Sequence, residues 1–114
     1  MWKLNSISGL VFKVKDLEAT KRFYEGLGLR IESKGNYNVA YINWFWIEFH
    51  RGNSDNQKTG SFLHISVKGL DEYYKELIKK DFKPLGEPRD LPFGRREFEL
   101  NDPDGYKLTF FEKI

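Results

Sequence analysis

The chain has no cysteine among its 114 residues, which excludes disulfides, a thiolate nucleophile and thiolate metal ligands. It has no block of like charge either. Nineteen Lys and Arg are interleaved with seventeen Asp and Glu, for a formal net charge of +2. No basic stripe of the kind that grips nucleic acid is present. No apolar run is long enough to span a bilayer, and Met1-Trp2-Lys3-Leu4-Asn5 is not followed by the apolar segment of a signal peptide. A soluble cytoplasmic protein with neither nucleic-acid nor membrane partners is the expectation. A glycine-rich phosphate loop is also missing, because Gly26-Leu27-Gly28 closes a helical pattern instead of opening one. Ser6, Ser8, Ser33, Ser54, Ser61 and Ser66 sit in no nucleophile-elbow context.

What the chain has is rings. Aromatic residues make up 17% and hydrophobic residues 39%, so it is a folding sequence and not a disordered one. Its length suits one compact domain. Ile7 to Val14 alternates as a strand, with Leu10, Phe12 and Val14 expected on the core side. Asp16 is placed to cap a helix in which Leu17, Thr20, Phe23, Tyr24 and Leu27 recur at helical spacing, and Gly28 is placed to end it. Leu29 to Ser33 reads as a short strand and Gly35-Asn36 as a turn. Asn38 to His50 reads as two strands folded over near Asn43.

The polar stretch Arg51 to Gly60 reads as a connection, after which the pattern restarts. Phe62 to Lys68 is a predicted strand with Leu63, Ile65 and Val67 inward. Leu70, Tyr73, Tyr74, Leu77 and Ile78 form a helical stripe over 70–80. Phe82 to Glu87 is expected as a strand and Pro88 to Gly94 as a loop. The chain then closes with a hairpin, Arg96 to Leu100 and Tyr106 to Phe111, around the turn Asn101-Asp102-Pro103-Asp104-Gly105. Val14-Lys15-Asp16-Leu17-Glu18 repeats as Val67-Lys68-Gly69-Leu70-Asp71. The fold class is therefore α+β, with two β-α-β-β-β modules: module one over 1–51, a linker over 52–60 and module two over 61–114.

The closing hairpin carries a resemblance. Its Gly94-x-Arg96-Glu97-Phe98 and Asp102-Pro103-Asp104-Gly105-Tyr106 wording resembles the glyoxalase, bleomycin-resistance and extradiol-dioxygenase superfamily, also called vicinal oxygen chelate proteins, and within it the bleomycin-resistance branch. The resemblance covers roughly the whole chain. It implies that the two modules align their sheets into an incomplete barrel around a cleft, and that the protein is a homodimer. In metal-using members, ligands come from the first and last strands of each module. Carried over, those positions fall here on Gly9, Glu48, Phe62 and Thr109. Glu48 alone is a good donor, and a catalytic divalent ion usually needs three protein ligands. A displaced set of Glu48, His50 and His64 is the alternative that strand parity leaves open. Beside it stands the plainer reading, polar groups wetting a cleft.

Parity places Trp44, Trp46, Phe62 and Phe111 on the same side as Glu48, His50, His64 and Thr109. These eight residues are the candidate ligand-binding set, with no metal and no cofactor. Module or dimer packing is the competing use of the rings. Glu97 and Glu99 alternate with Phe98 and Leu100, and read as a solvated or cleft face and not as an acid–base pair. The resemblance thus implies metal-independent binding of a small aromatic or planar molecule, of the drug-sequestering kind, without catalysis. The alternatives are a metal-dependent lyase, isomerase or dioxygenase of the same superfamily, and a ligand-free dimerisation or regulatory module. Relatives that bind cationic glycopeptide drugs tend to be acidic, whereas this chain is mildly basic, which argues against bleomycin itself. Elemental analysis of purified protein should find no stoichiometric Ni, Zn, Mn or Fe; one such ion per chain would reverse the expectation.

Overall fold

The first helix begins where Asp16 allows it to. In the computed structural model, which describes residues 3–53, 61–92 and 94–114 (for Ser61 and Phe62 the backbone alone), Asp16 is extended and its Oδ1 accepts from the backbone N–H of Glu18 and Ala19 at 3.0 and 3.2 Å. Two of the helix's orphan donors are satisfied that way. The helix, α1 (Leu17–Leu27), ends at Gly28, whose φ of 106° is the left-handed conformation a glycine reaches without strain.

Around α1 the first unit, Met1–Ser54, forms a four-stranded sheet from β1 (Gly9–Val14), β2 (Arg30–Ser33), β3 (Tyr37–Ile42) and β4 (Phe45–Arg51). The order is β1-β4-β3-β2, so the first and last strands of the unit lie side by side and parallel. Strands β2, β3 and β4 run antiparallel, and the β3–β4 reversal is made at Asn43, φ 52°, as its position in the sequence predicts. One face carries the core: Phe12, Val14, Ala40, Ile47 and Phe49 against Thr20, Tyr24 and Leu27 of α1. Tyr24 and Phe49 lie 4.7 Å apart, centroid to centroid, and Asn38 Nδ2 donates to the Leu17 carbonyl at 3.0 Å. Leu10, expected in this core, is instead 36% exposed. Its strand is at the sheet's edge and has a neighbour on one side alone.

The second unit, Asp55–Ile114, repeats the plan with β5 (Ser61–Ser66), α2 (Leu70–Lys79), β6 (Arg89–Leu91), β7 (Arg95–Asn101) and β8 (Lys107–Lys113), in sheet order β5-β8-β7-β6. Again the first and last strands pair in parallel. The core gathers Leu63, Leu70, Leu77, Phe98, Leu100, Leu108 and Phe110; Ile78, read as part of the helical stripe, is exposed. Most of the expected linker, residues 54–60, lies outside the described residues. No described helix is long and apolar enough to cross a membrane.

The strand expected over Phe82 to Glu87 does not form; the second strand of this unit is Arg89–Leu91, inside the expected loop. Pro84 and Pro88 have no N–H to give a ladder, and Gly86 lies in a bend between them. Leu85 N–H still reaches the Glu99 carbonyl at 2.9 Å, but regular pairing begins only past Pro88, with Arg89 opposite Glu97. The closing turn behaves as its residues require. Asp102 is buried, its Oδ1 accepts from the N–H of Asp104 and Tyr106, both at 2.9 Å, and Gly105 takes φ 89°.

Helix α2 has no local side-chain cap. Gly69 precedes it at φ 78°, and the Glu112 carboxylate on β8 accepts from Leu70 N–H at 3.0 Å and Gly69 N–H at 2.8 Å. A residue forty-two positions on does for α2 what Asp16 does for α1. Those two donors, Leu70 first, hold the Glu112 carboxyl below its ordinary value. A depressed folded-state pKa stabilises at pH above the usual carboxylate range, and that contribution disappears as pH falls through the lowered value. Glu112→Gln should therefore melt below wild type at pH 7, and the difference should shrink as the pH is taken below 4.5, which paired thermal melts across that range would read.

Candidate functional site

Each sheet covers one face with its helix and leaves the other without one. In the first unit the pairing register sets three rows across the helix-free face: Gly9, Trp46, Tyr41 and Arg30; then Val11, Glu48, Val39 and Glu32; then Lys13, His50 and Tyr37. Trp46 is 39% exposed, and Ile47 and Phe49 alternate with it into the core. The Arg30 guanidinium lies 4.5 Å above the Tyr41 ring. Glu48 Oε1 and His50 Nε2 are 2.8 Å apart, and Tyr37 stacks on the His50 ring at 4.6 Å and 4°. The imidazole is thus fixed by a carboxylate on its edge and a phenol ring on its face.

Gly9 explains itself here. A β-carbon added to it would stand 2.6 Å from Trp46 Nε1 and 2.8 Å from two further indole atoms. The ring lies across the strand where any side chain would project.

In the second unit the register aligns His64, Thr109 and Glu99, then Ser66, Phe111 and Glu97, with Arg95 opposite Lys113. Arg95 Nη2 bonds His64 Nδ1 at 2.8 Å, its guanidinium lies 4.0 Å from the Phe111 centroid, and its Nε is 3.5 Å from Glu97 Oε2. On the other face of the same hairpin, Arg96 bridges Asp71 of α2 and Asp90 of β6 at 3.1 and 2.9 Å. Tyr73 packs beside Phe110, and burial pushes its phenol up to about 12.

Of the eight candidate residues, Trp46, Glu48 and His50 come together on the first sheet, and His64, Thr109 and Phe111 on the second. Two are corrected. Trp44 is 75% exposed and belongs to the β3–β4 turn, so strand alternation does not orient it. Thr109 is 2% exposed, flanked on its central strand by His64 and Glu99, and is not a wetted polar group. The Phe62 side chain lies outside the described residues. Tyr37, Tyr41 and Arg95 were missed. The two tyrosines pair directly with His50 and Trp46, a relation that needs the register; Arg95 shares the parity of Glu97 and needed only a strand begun one residue earlier.

The donor set does not fit the metal that some members of such a fold hold. Gly9 offers no donor and its outward space is filled by indole, Thr109 is a buried hydroxyl, and the Glu48 carboxylate is engaged by His50. No group of three or more His, Asp or Glu that could hold an ion is found among the described residues.

Gly9→Ala should displace the indole and destabilise the protein by about 1–3 kcal/mol, the usual cost of overpacking. Combining it with Trp46→Ala should recover most of that loss, a coupling read by chemical denaturation of the two single variants and the double. Additive effects would mean that the ring does not rest on Gly9.

The chain is 31% identical over 117 residues to the metallothiol transferase FosB of Lysinibacillus sphaericus, covering 94% of this chain and 82% of that one. Solved structures of similar fold include a glyoxalase family protein from Bacillus anthracis (TM-score 0.84, 18% identity, 100% and 99% of the two chains) and the fosfomycin resistance protein FosX from Listeria monocytogenes (0.83, 18%, 98% and 96%). These likenesses do not single out the bleomycin-resistance branch. The profile of the glyoxalase/bleomycin resistance protein/dioxygenase superfamily matches residues 6–110, and with the two β-α-β-β-β units it establishes that the chain belongs to that superfamily.

Proposed function

We propose that this chain binds a small planar or aromatic organic molecule without a metal ion and sequesters it, in the manner of bleomycin-resistance-type proteins, as a cytoplasmic homodimer without nucleic-acid or membrane partners. The observation that carries this reading is the Trp46 indole across Gly9: a ring stands where a metal-using relative would extend its first ligand. Trp46 and Tyr41, neighbours in the register, offer flat apolar surface, and the Glu48–His50 pair beside them offers a fixed acceptor and an imidazole. Apolar walls with a few placed polar groups are the usual composition of a small-molecule site. His64 and Phe111 supply the same pairing of ring and imidazole in the second unit.

The second reading is a metal-dependent group transfer, and the 31% identity to a metallothiol transferase favours it. It requires three protein donors, which the carried-over positions do not provide. The two readings separate experimentally. Fluorescence titration of wild type against a panel of aromatic metabolites and antibiotics should find a saturable ligand that mass spectrometry recovers unmodified. Trp46→Ala should weaken it by about 1–3 kcal/mol, as for loss of an aromatic anchor. Its melting temperature should change less than for a buried core ring, whose truncation typically costs about 3–5 kcal/mol. Metal-stimulated consumption of fosfomycin with a thiol would favour the second reading. A large stability loss in Trp46→Ala with no wild-type ligand would leave Trp46 a structural residue.

A further inference from the structure

The row Val11, Glu48, Val39 and Glu32 on the first sheet holds two carboxylates in different states. Glu32, on the edge strand β2, is occupied: Lys34 Nζ lies 3.1 Å from its Oε2 and Arg30 Nη1 3.8 Å from its Oε1. Glu48, on β4, has no Lys or Arg within ion-pair distance among the described residues. Its close partner is His50, whose Nε2 is 2.8 Å from Oε1. A carboxylate only accepts, so His50 Nε2 carries the proton and donates it. Glu48 Oε2 has no donor among the described residues. It is not sealed either. The side chain is 30% exposed, and the buried polar side-chain atoms without a partner among the described residues are Thr20 Oγ1 and Arg95 Nε.

The surroundings of that oxygen decide what fits it. Glu48 stands between Val11 and Val39 in the register, so the carboxylate is framed by aliphatic side chains. In such a setting an ionised acceptor makes strong hydrogen bonds and repels an oxyanion. Trp46 is two residues back on the same strand and face, about 7 Å away. A bicyclic ring can span that interval with its plane toward the indole and its edge toward Glu48. His50 sets the direction of the acceptor. Tyr37 stacks on its ring at 4.6 Å, and the braced imidazole holds Oε1, which leaves Oε2 for the ligand.

We propose that Glu48 Oε2 accepts a ring N–H from a planar nitrogen heterocycle, with His50, braced by Tyr37, as the positioning residue. This deepens the planar-ligand reading above and rests on it, since it names the donor that the ligand's edge carries.

The test uses the whole protein with benzimidazole and its isostere benzoxazole, in which oxygen replaces the N–H, at neutral pH and low salt. The readout is the Trp46 indole N–H resonance, assigned with a Trp46→Phe variant. Benzimidazole should shift it saturably and bind at least tenfold more tightly than benzoxazole. Glu48→Gln should cut that preference to within twofold, because the amide turns its oxygen to His50 and its NH2 to the ligand. His50→Leu should lower the preference severalfold, and His50→Gln, which keeps an N–H donor, should restore most of it; a merely structural His50 would move both probes alike. A tenfold preference that survives Glu48→Gln would overturn the proposal. Equal, saturable binding of the two probes would also overturn it while leaving the planar-ligand reading standing. No saturable shift with either probe overturns it too, and that reading then rests on the separate panel titration. Should Glu48→Gln fail to fold, an unchanged preference in His50→Leu overturns it.

Discussion

Each unit depends on a parallel pairing between its first strand and its last. β1 meets β4 and β5 meets β8 only after a helix and an antiparallel meander have been laid down between them. Such a contact orders a long stretch of chain before it yields any hydrogen bond, so it must be supported by side chains. The support is visible in β4 and β8, each of which has a strand on both sides and alternates a buried ring into the core: Phe49 against Tyr24, Phe110 against Phe98. The same pairing sets what the helix-free face looks like. Gly9 lies beside Trp46 and His64 beside Thr109 because of this register, and a slip of one residue would turn Trp46 and Glu48 into the core.

Much of this was legible in the chain because it is local. Asp16 and Gly28 mark the first helix from either side, Asn43 marks a reversal, and Asp102 to Gly105 dictate a turn through their own side chains and φ preferences. What escaped is what depends on partners distant in sequence. The cap of α2 comes from Glu112, and nothing near Gly69 announces it. The strand expected over Phe82 to Glu87 forms instead at Arg89–Leu91, because the hydrogen-bond ladder needs the N–H groups that Pro84 and Pro88 lack. On the candidate site, parity correctly brought Trp46, Glu48 and His50 to one face, since a strand's alternation needs no partner. Parity says nothing about depth, and Thr109, on a central strand, proved buried.

Strand β8 shows how tightly the tasks are divided. Leu108 and Phe110 face the helix side, Thr109 and Phe111 the other, and Glu112, paired with Arg96 in the ladder, holds the N-terminus of α2 with its side chain. Three consecutive residues, Phe110, Phe111 and Glu112, therefore serve the core, the open face and a helix cap. Because successive side chains point to opposite faces, substitution at Phe111 leaves the Phe98–Phe110 stack intact, whereas Glu112 couples this strand to the helix on which its core residues pack.

The Gly9–Trp46 contact gives the helix-free face of the first sheet its chemical character. A ligating side chain and the indole compete for one volume, since the first atom of any side chain at position 9 already falls within the ring's contact distance. The two arrangements exclude each other, and passing from one to the other requires two changes, a donor gained and a ring lost. A divalent ion polarises a bound oxygen, and its site has to offer several donors at once. Stacked rings ask for flat apolar area and contribute about 0.5–1.5 kcal/mol per pair beyond burial. Trp46, Tyr41, Tyr37 and His50 line this face as rings, and Glu48 is tied to an imidazole. A side chain at position 9 and the indole of Trp46 are therefore alternatives for one volume.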